Sequence, residues 1–123
     1  MFKIDNMSQK PVYEQLIEQT ERYILMGVLN AGDGMPSVRK LSVEASVNPN
    51  TIQKAYSELT GRGVLVSVPG KGCFVAENAA ETIGKDKRVL LKDVKTLTAE
   101  LKLAGISFDE IVSVVKEIYS ENK

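Results

Sequence analysis

Asn50, Thr51, Gln53 and Lys54 fall within five consecutive positions near the middle of the chain. Amides and hydroxyls both donate and accept hydrogen bonds, which is what reading base edges in DNA requires. No carboxylate stands among them to repel phosphates. The same residues equally suit the solvated face of an ordinary helix. A second group lies downstream, in Pro69-Gly70-Lys71-Gly72. A lysine at the tip of such a turn can reach a phosphate or the minor groove, and flanking glycines let the backbone come close. The chemistry of catalysis is poorly supplied. Histidine is absent, Cys73 is the single cysteine, and neither a nucleophile motif nor paired carboxylates in a loop can be found. Gly32-Asp33-Gly34 follows no strand and lacks the third glycine of a dinucleotide fingerprint. Neither an enzyme nor a cofactor or metal is expected.

These groups need elements to position them. Pro11 to Gly27 reads as an amphipathic helix, with Pro11 at its first position and Gly27 just past its end. Val12, Leu16, Ile17, Tyr23 and Ile24 form its apolar side, and Glu14, Glu18, Glu21 and Arg22 the other. Asn30 to Pro36 is dense in turn formers and reads as a connector with nothing to pack. Ser37 caps a short helix to Ala45, with Val38, Leu41 and Ala45 turned inward. Ser46 to Asn48 makes a tight turn, and Asn48 caps a further helix with Pro49 at its first position. That helix runs to about Arg62, burying Ile52, Ala55, Tyr56 and Leu59 and exposing Asn50, Gln53, Lys54 and Ser57. Two helices across a tight turn form a helix-turn-helix. Val64–Val68 and Cys73–Ala76 read as a hairpin, the wing of a winged helix.

The chain has 123 residues, 16 cationic and 16 acidic, so any attraction to DNA must be local. Between Pro36 and Gly72 the cations Arg39, Lys40, Lys54, Arg62 and Lys71 face only Glu44 and Glu58, five minus two, a net of +3. Met1 to Met35 carries three cations against five anions, a net of −2. One cysteine cannot form an internal disulfide, no apolar run approaches the roughly 20 residues of a membrane span, and Met1 to Lys10 lacks a signal-peptide core. A cytoplasmic protein with no membrane partner is expected.

The segments Pro11-Val-Tyr-Glu-Gln-Leu16, Gly32-Asp-Gly-Met-Pro-Ser-Val-Arg-Lys-Leu41, Val47 to Leu59, Gly63-Val-Leu65 and Pro69 to Val75 occur in this order. Together they resemble the DNA-binding domain of the GntR family of bacterial transcription regulators, over roughly residues 8–77. The resemblance implies a winged helix-turn-helix that binds a palindromic operator as a dimer. It also implies that Arg39, in a Pro-Ser-x-Arg motif, contacts a guanine, that Ser37 and Thr51 lie at the DNA, and that Gly70 approaches the minor groove. Lys40 stands where many members have the glutamate of a capping box, and Pro49 and Gln53 where many have arginine, so base preferences do not transfer. Cys73 replaces a threonine or serine and reads as a small strand residue.

The DNA-contacting set expected is Ser37, Arg39, Lys40, Asn48, Asn50, Thr51, Gln53, Lys54, Gly70 and Lys71. Arg39, Asn50, Gln53 and Lys54 would read bases, while Ser37, Lys40, Thr51 and Lys71 would hold phosphates.

Beyond Ala76, Leu90, Val94, Leu97, Leu101 and Ala104 make a heptad-like stripe that ends at Gly105. Ser107 with Glu110 opens a second helix burying Phe108, Ile111, Val112, Val115, Ile118 and Tyr119. So small a helical hairpin cannot bury both stripes alone and needs a partner, its own copy or the winged domain. A short two-helix tail resembles the YtrA subfamily, which implies dimerisation through Leu90, Val94, Leu97, Leu101 and the six apolar residues of the second helix. The fold expected is mainly α with a small β-hairpin, a winged domain at 1–77 (helix-turn-helix about 37–62, wing about 64–76) and a dimerising α-helical hairpin at 78–123. The function expected is a sequence-specific transcription regulator, a homodimeric repressor on a double-stranded operator, its effector unspecified. A winged-helix adaptor that binds protein and no DNA is the alternative.

Overall fold

Pro11 stands one residue ahead of the first helix, α1 (Val12–Leu25), not within it. Gly27, at φ +80°, closes that helix, and the Val28 amide donates back to the Tyr23 carbonyl at 2.8 Å. The computed structural model describes residues 1–121. After α1 come α2 (Val38–Ala45), α3 (Pro49–Gly61), β1 (Leu65–Val68), β2 (Gly72–Val75), α4 (Ala79–Lys87), α5 (Leu90–Leu103) and α6 (Phe108–Ser120). They form two compact units, one ending at Asp86 and one beginning at Lys87.

In the first unit, α1 buries Leu16, Ile17 and Ile24 as its pattern predicts. It also buries Thr20, which donates to the Leu16 carbonyl at 2.7 Å, and Glu21, which the pattern places outside. Residues 1–10 fold back along this helix. The Gln15 amide accepts from the Asp5 N–H and donates to the Asp5 and Lys10 carbonyls, all at 2.9 Å, and the rings of Phe2 and Tyr23 meet edge-on at 5.6 Å.

Ser37 caps α2 by accepting from the Lys40 amide at 3.0 Å. Ser46 takes a left-handed conformation (φ 53°), which stops α2 and turns the chain into α3. Asn48 accepts from the Asn50 amide at 2.8 Å and Pro49 opens α3. Ile52, Ala55, Tyr56 and Leu59 are buried, as their spacing predicts.

β1 and β2 pair antiparallel from Leu65 with Val75 to Val68 with Gly72, and the Lys71 amide closes the turn on the Val68 carbonyl at 2.9 Å. The segment 30–36 is more than a connector. Gly32 donates to Val75 at 2.9 Å, Val75 to Asp33 at 2.9 Å and Met35 to Cys73 at 2.8 Å, so this stretch lies along the free edge of β2. Gly34 bridges to Phe74, whose ring lies 3.6 Å from where a Cβ would stand, and Met35 is buried. Glycines that break a local pattern here admit a neighbouring ring and strand.

The first unit runs past the boundary expected at 77. Helix α4, absent from the sequence expectations, places Ala79 and Ile83 in the core with Leu16, Ile52, Leu59 and Val64. Ile83 is 0% exposed. Ile83→Ala is expected to cost about 2–4 kcal/mol, read from the midpoint of urea unfolding. A loss below about 0.5 kcal/mol, the usual bound for a surface site, would place α4 outside the core.

In the second unit, Gly105 (φ +89°) ends α5 and the Ile106 amide donates back to Leu101 at 3.0 Å. Ser107 accepts from the Glu110 amide at 3.2 Å. The burial expected along α6 does not occur within this unit. Neither α5 nor α6 has a buried residue; Ile111 and Val112 are half-covered, Phe108 is 78% exposed and Tyr119 87%. Two short helices have too little facing area to cover both stripes.

Candidate nucleic-acid interface

The outward side of α3 carries, in order around the helix at about 100° per residue, Gln53, Ser57, Asn50 and Lys54. Asn50, Gln53, Lys54 and Ser57 are exposed and Thr51 is half-buried. Gln53 donates to the Ser57 hydroxyl at 3.1 Å, which fixes the amide's direction. Glu58, on the next turn, is drawn toward Arg62 at 3.6 Å. The face therefore presents amides and hydroxyls, as its composition predicts.

Gln53 and Ser57 form one wall of a cleft of about 560 Å³ that Ser37, Val38, Lys71 and Cys73 complete. The first turn of α2 and the wing thus converge on one flank of α3. The Tyr56 phenol donates to the Pro36 carbonyl at 2.8 Å and pins the chain entering α2 to α3. Burial pushes the Tyr56 phenol well above its ordinary pKa, so the hydroxyl keeps its proton and remains a donor. Ser37 accepts from its cap partner through oxygen, which leaves its own proton to donate outward. Arg39 and Lys40 are exposed on α2, and neither makes a side-chain hydrogen bond or ion pair with the described residues. Lys71 is likewise unpaired at the exposed wing tip beside Gly70 (φ +76°), and Asn48 is exposed at the start of α3.

Two cations counted toward the basic segment are engaged within the protein. The Arg62 guanidinium pairs with Glu21 of α1, with Asp86 of α4 at 3.1 Å and with Glu58. Partial burial alone would lower its pKa, but hydrogen bonds and charge from Glu21 and Asp86 outweigh that and raise it. Its charge is spent on acids, so the +3 read from the linear segment overstates what faces outward. Lys54 leans to the flank away from the cleft, where its Nζ lies 3.8 Å from the centroid of the Tyr13 ring on α1. A π face holds a cation without neutralising it, so this charge stays available. The sequence places Tyr56 in the core but not its bond to Pro36, nor the contact of Tyr13 with Lys54, because both act across elements. Among the described residues, no cluster of three or more His, Cys, Asp or Glu side chains could hold a metal, and no helix is long and apolar enough to cross a membrane.

The chain is similar to known proteins throughout its length. Residues 12–75 match the gntR family of bacterial regulatory proteins. The HTH-type transcriptional repressor YtrA of Bacillus subtilis (strain 168) is 36% identical over an alignment covering 100% of this chain and 95% of that protein. A transcriptional regulator from Oenococcus oeni superposes with a TM-score of 0.76 at 34% identity, covering 95% of this chain and 98% of that one. The DNA-binding domain of AraR in complex with operator ORE1 superposes with a TM-score of 0.53 at 30% identity, covering 62% of this chain and 93% of that one. The protein described here belongs to the gntR family of bacterial regulatory proteins.

Proposed function

We propose that this protein is a sequence-specific DNA-binding transcription regulator, a repressor that grips a palindromic operator as a homodimer in the cytoplasm. The observation that carries the reading is the uncovered, amide-bearing face of α3, with Ser37 and the Lys71 wing tip gathered on one flank. A side of α3 about as wide as the major groove enters it, where Asn50 and Gln53 meet base edges. Ser37, Lys40, Thr51 and Lys71 hold phosphates, and Arg39 reaches a base from α2. The operator complex of AraR and the repressor name of the Bacillus relative support this assignment. The exposed stripes of α5 and α6 support a second copy, which would set two α3 helices about 34 Å apart on successive major grooves. The adaptor alternative has no observation in its favour.

Arg39→Ala tests base readout. It is expected to cost about 1–3 kcal/mol on a duplex the wild type selects from a random pool, and far less on a shuffled duplex, both by fluorescence anisotropy. Equal losses on the two would remove Arg39 from base reading. A wild type whose affinity has no salt dependence would sink the DNA assignment itself.

A further inference from the structure

The two flanks of α3 are built differently. Gln53 and Ser57 face the cleft with Ser37 and Lys71, whereas Lys54 faces α1 and does not line the cleft. Its Nζ lies over the Tyr13 ring, and Tyr13 is itself partly buried and packed against the core. A lysine has one of the largest rotamer entropies of any side chain. An anchored ring restricts that freedom before any ligand arrives and keeps the charge displayed.

We propose that Tyr13 and Lys54 together form a preorganised phosphate clamp, with Lys54 touching the DNA strand opposite the one held by Ser37 and Lys71. Lys54 is then a backbone contact and not a base reader, and Tyr13 is its positioning residue. The inference rests on the DNA-binding reading above. A helix with its side chains is about 10–12 Å across and the major groove about 12 Å wide, so a cation on a flank of the inserted face passes close to a strand, whereas the uncharged Gln53 amide on the other flank, held by Ser57, has no charge to draw it from the base edges. Asn50 and Ser57 occupy the middle of the α3 face by helical spacing. A flexible lysine there could swing toward a base edge, but one seated on α1 is held to the strand that passes α1. The charge matters because few outward cations remain once Arg62 is engaged by Glu21, Glu58 and Asp86.

The test is a double-mutant cycle in the full-length protein, read by anisotropy on a wild-type-selected duplex and a shuffled one across 50–200 mM salt (about the span over which phosphate contacts dominate). Lys54→Met is expected to weaken both duplexes by the same factor and to lower the magnitude of the salt slope by about 0.9. Tyr13→Leu, which keeps the charge, is expected to weaken both by about two- to fivefold, the worth of an exposed cation–π contact, with the slope unchanged. Tyr13→Phe is expected to bind like wild type. In the Lys54→Met background, Tyr13→Leu is expected to add nothing. A Tyr13→Leu loss of the same size in both backgrounds would mean a structural role alone, and tighter binding would mean that the ring sequesters the lysine. A Lys54→Met loss confined to the selected duplex would return Lys54 to base reading. Each of these overturns the clamp while the wild type still binds DNA; failure of the wild type to bind either duplex overturns the underlying reading instead.

Discussion

Leu97→Glu is expected to leave a folded monomer whose affinity for a selected palindromic duplex falls by about 100-fold or more. The chain itself does not need Leu97 for its core, since the residue is 63% exposed and α5 buries no residue. A charge at the centre of the Leu90, Val94, Leu97 and Leu101 stripe costs little in one copy. Within an interface between copies it would be desolvated without a partner. The DNA effect follows from effective concentration, because two linked half-site readers make the second contact intramolecular. Sedimentation velocity measures the first outcome and anisotropy on palindromic and half-site duplexes the second. The half-site affinity should be unchanged, since α3 and the wing belong to the other unit. An unchanged sedimentation coefficient would remove the tail from dimerisation.

Arg62→Met is expected to cost the fold as much as truncating a core side chain. The Glu21 side chain is 6% exposed, and Arg62 is one of its partners, an ion pair at the point where α1, α3 and α4 meet. Exposed pairs such as Lys10 with Glu18 contribute little, about 0–1 kcal/mol. Removing the cation from a buried carboxylate is different, because the desolvation cost of the charge stays while the guanidinium's share of the attraction is lost; about 3 kcal/mol is expected. The measurement is urea unfolding of the variant against wild type. Arg62→Met with Glu21→Gln should recover part of the loss, because the buried charge is then gone. A loss below about 1 kcal/mol would reduce the cluster to an ordinary surface pair.

Much of this protein was legible in its sequence because the relevant physics is local. Ser37 and Asn48 cap the helices they precede, Gly27 and Gly105 end helices in the left-handed conformation, and the spacing of Ile52, Ala55, Tyr56 and Leu59 sets which side of α3 is buried and therefore which side can meet DNA. Each depends on residues within about one or two helical turns. Tertiary structure alone decided what depends on distant partners. The glycine-rich 30–36 segment found the edge of β2, the short apolar pair Ala79 and Ile83 found the core as α4, and Glu21 went inside because Arg62, 41 positions away, was there to meet it. The same holds at the DNA face. Residue types marked Lys54 and Arg62 as cations alike, but a π face keeps one charge displayed and three carboxylates consume the other. Composition counts charges, whereas their neighbours in space determine which of them a phosphate can still use.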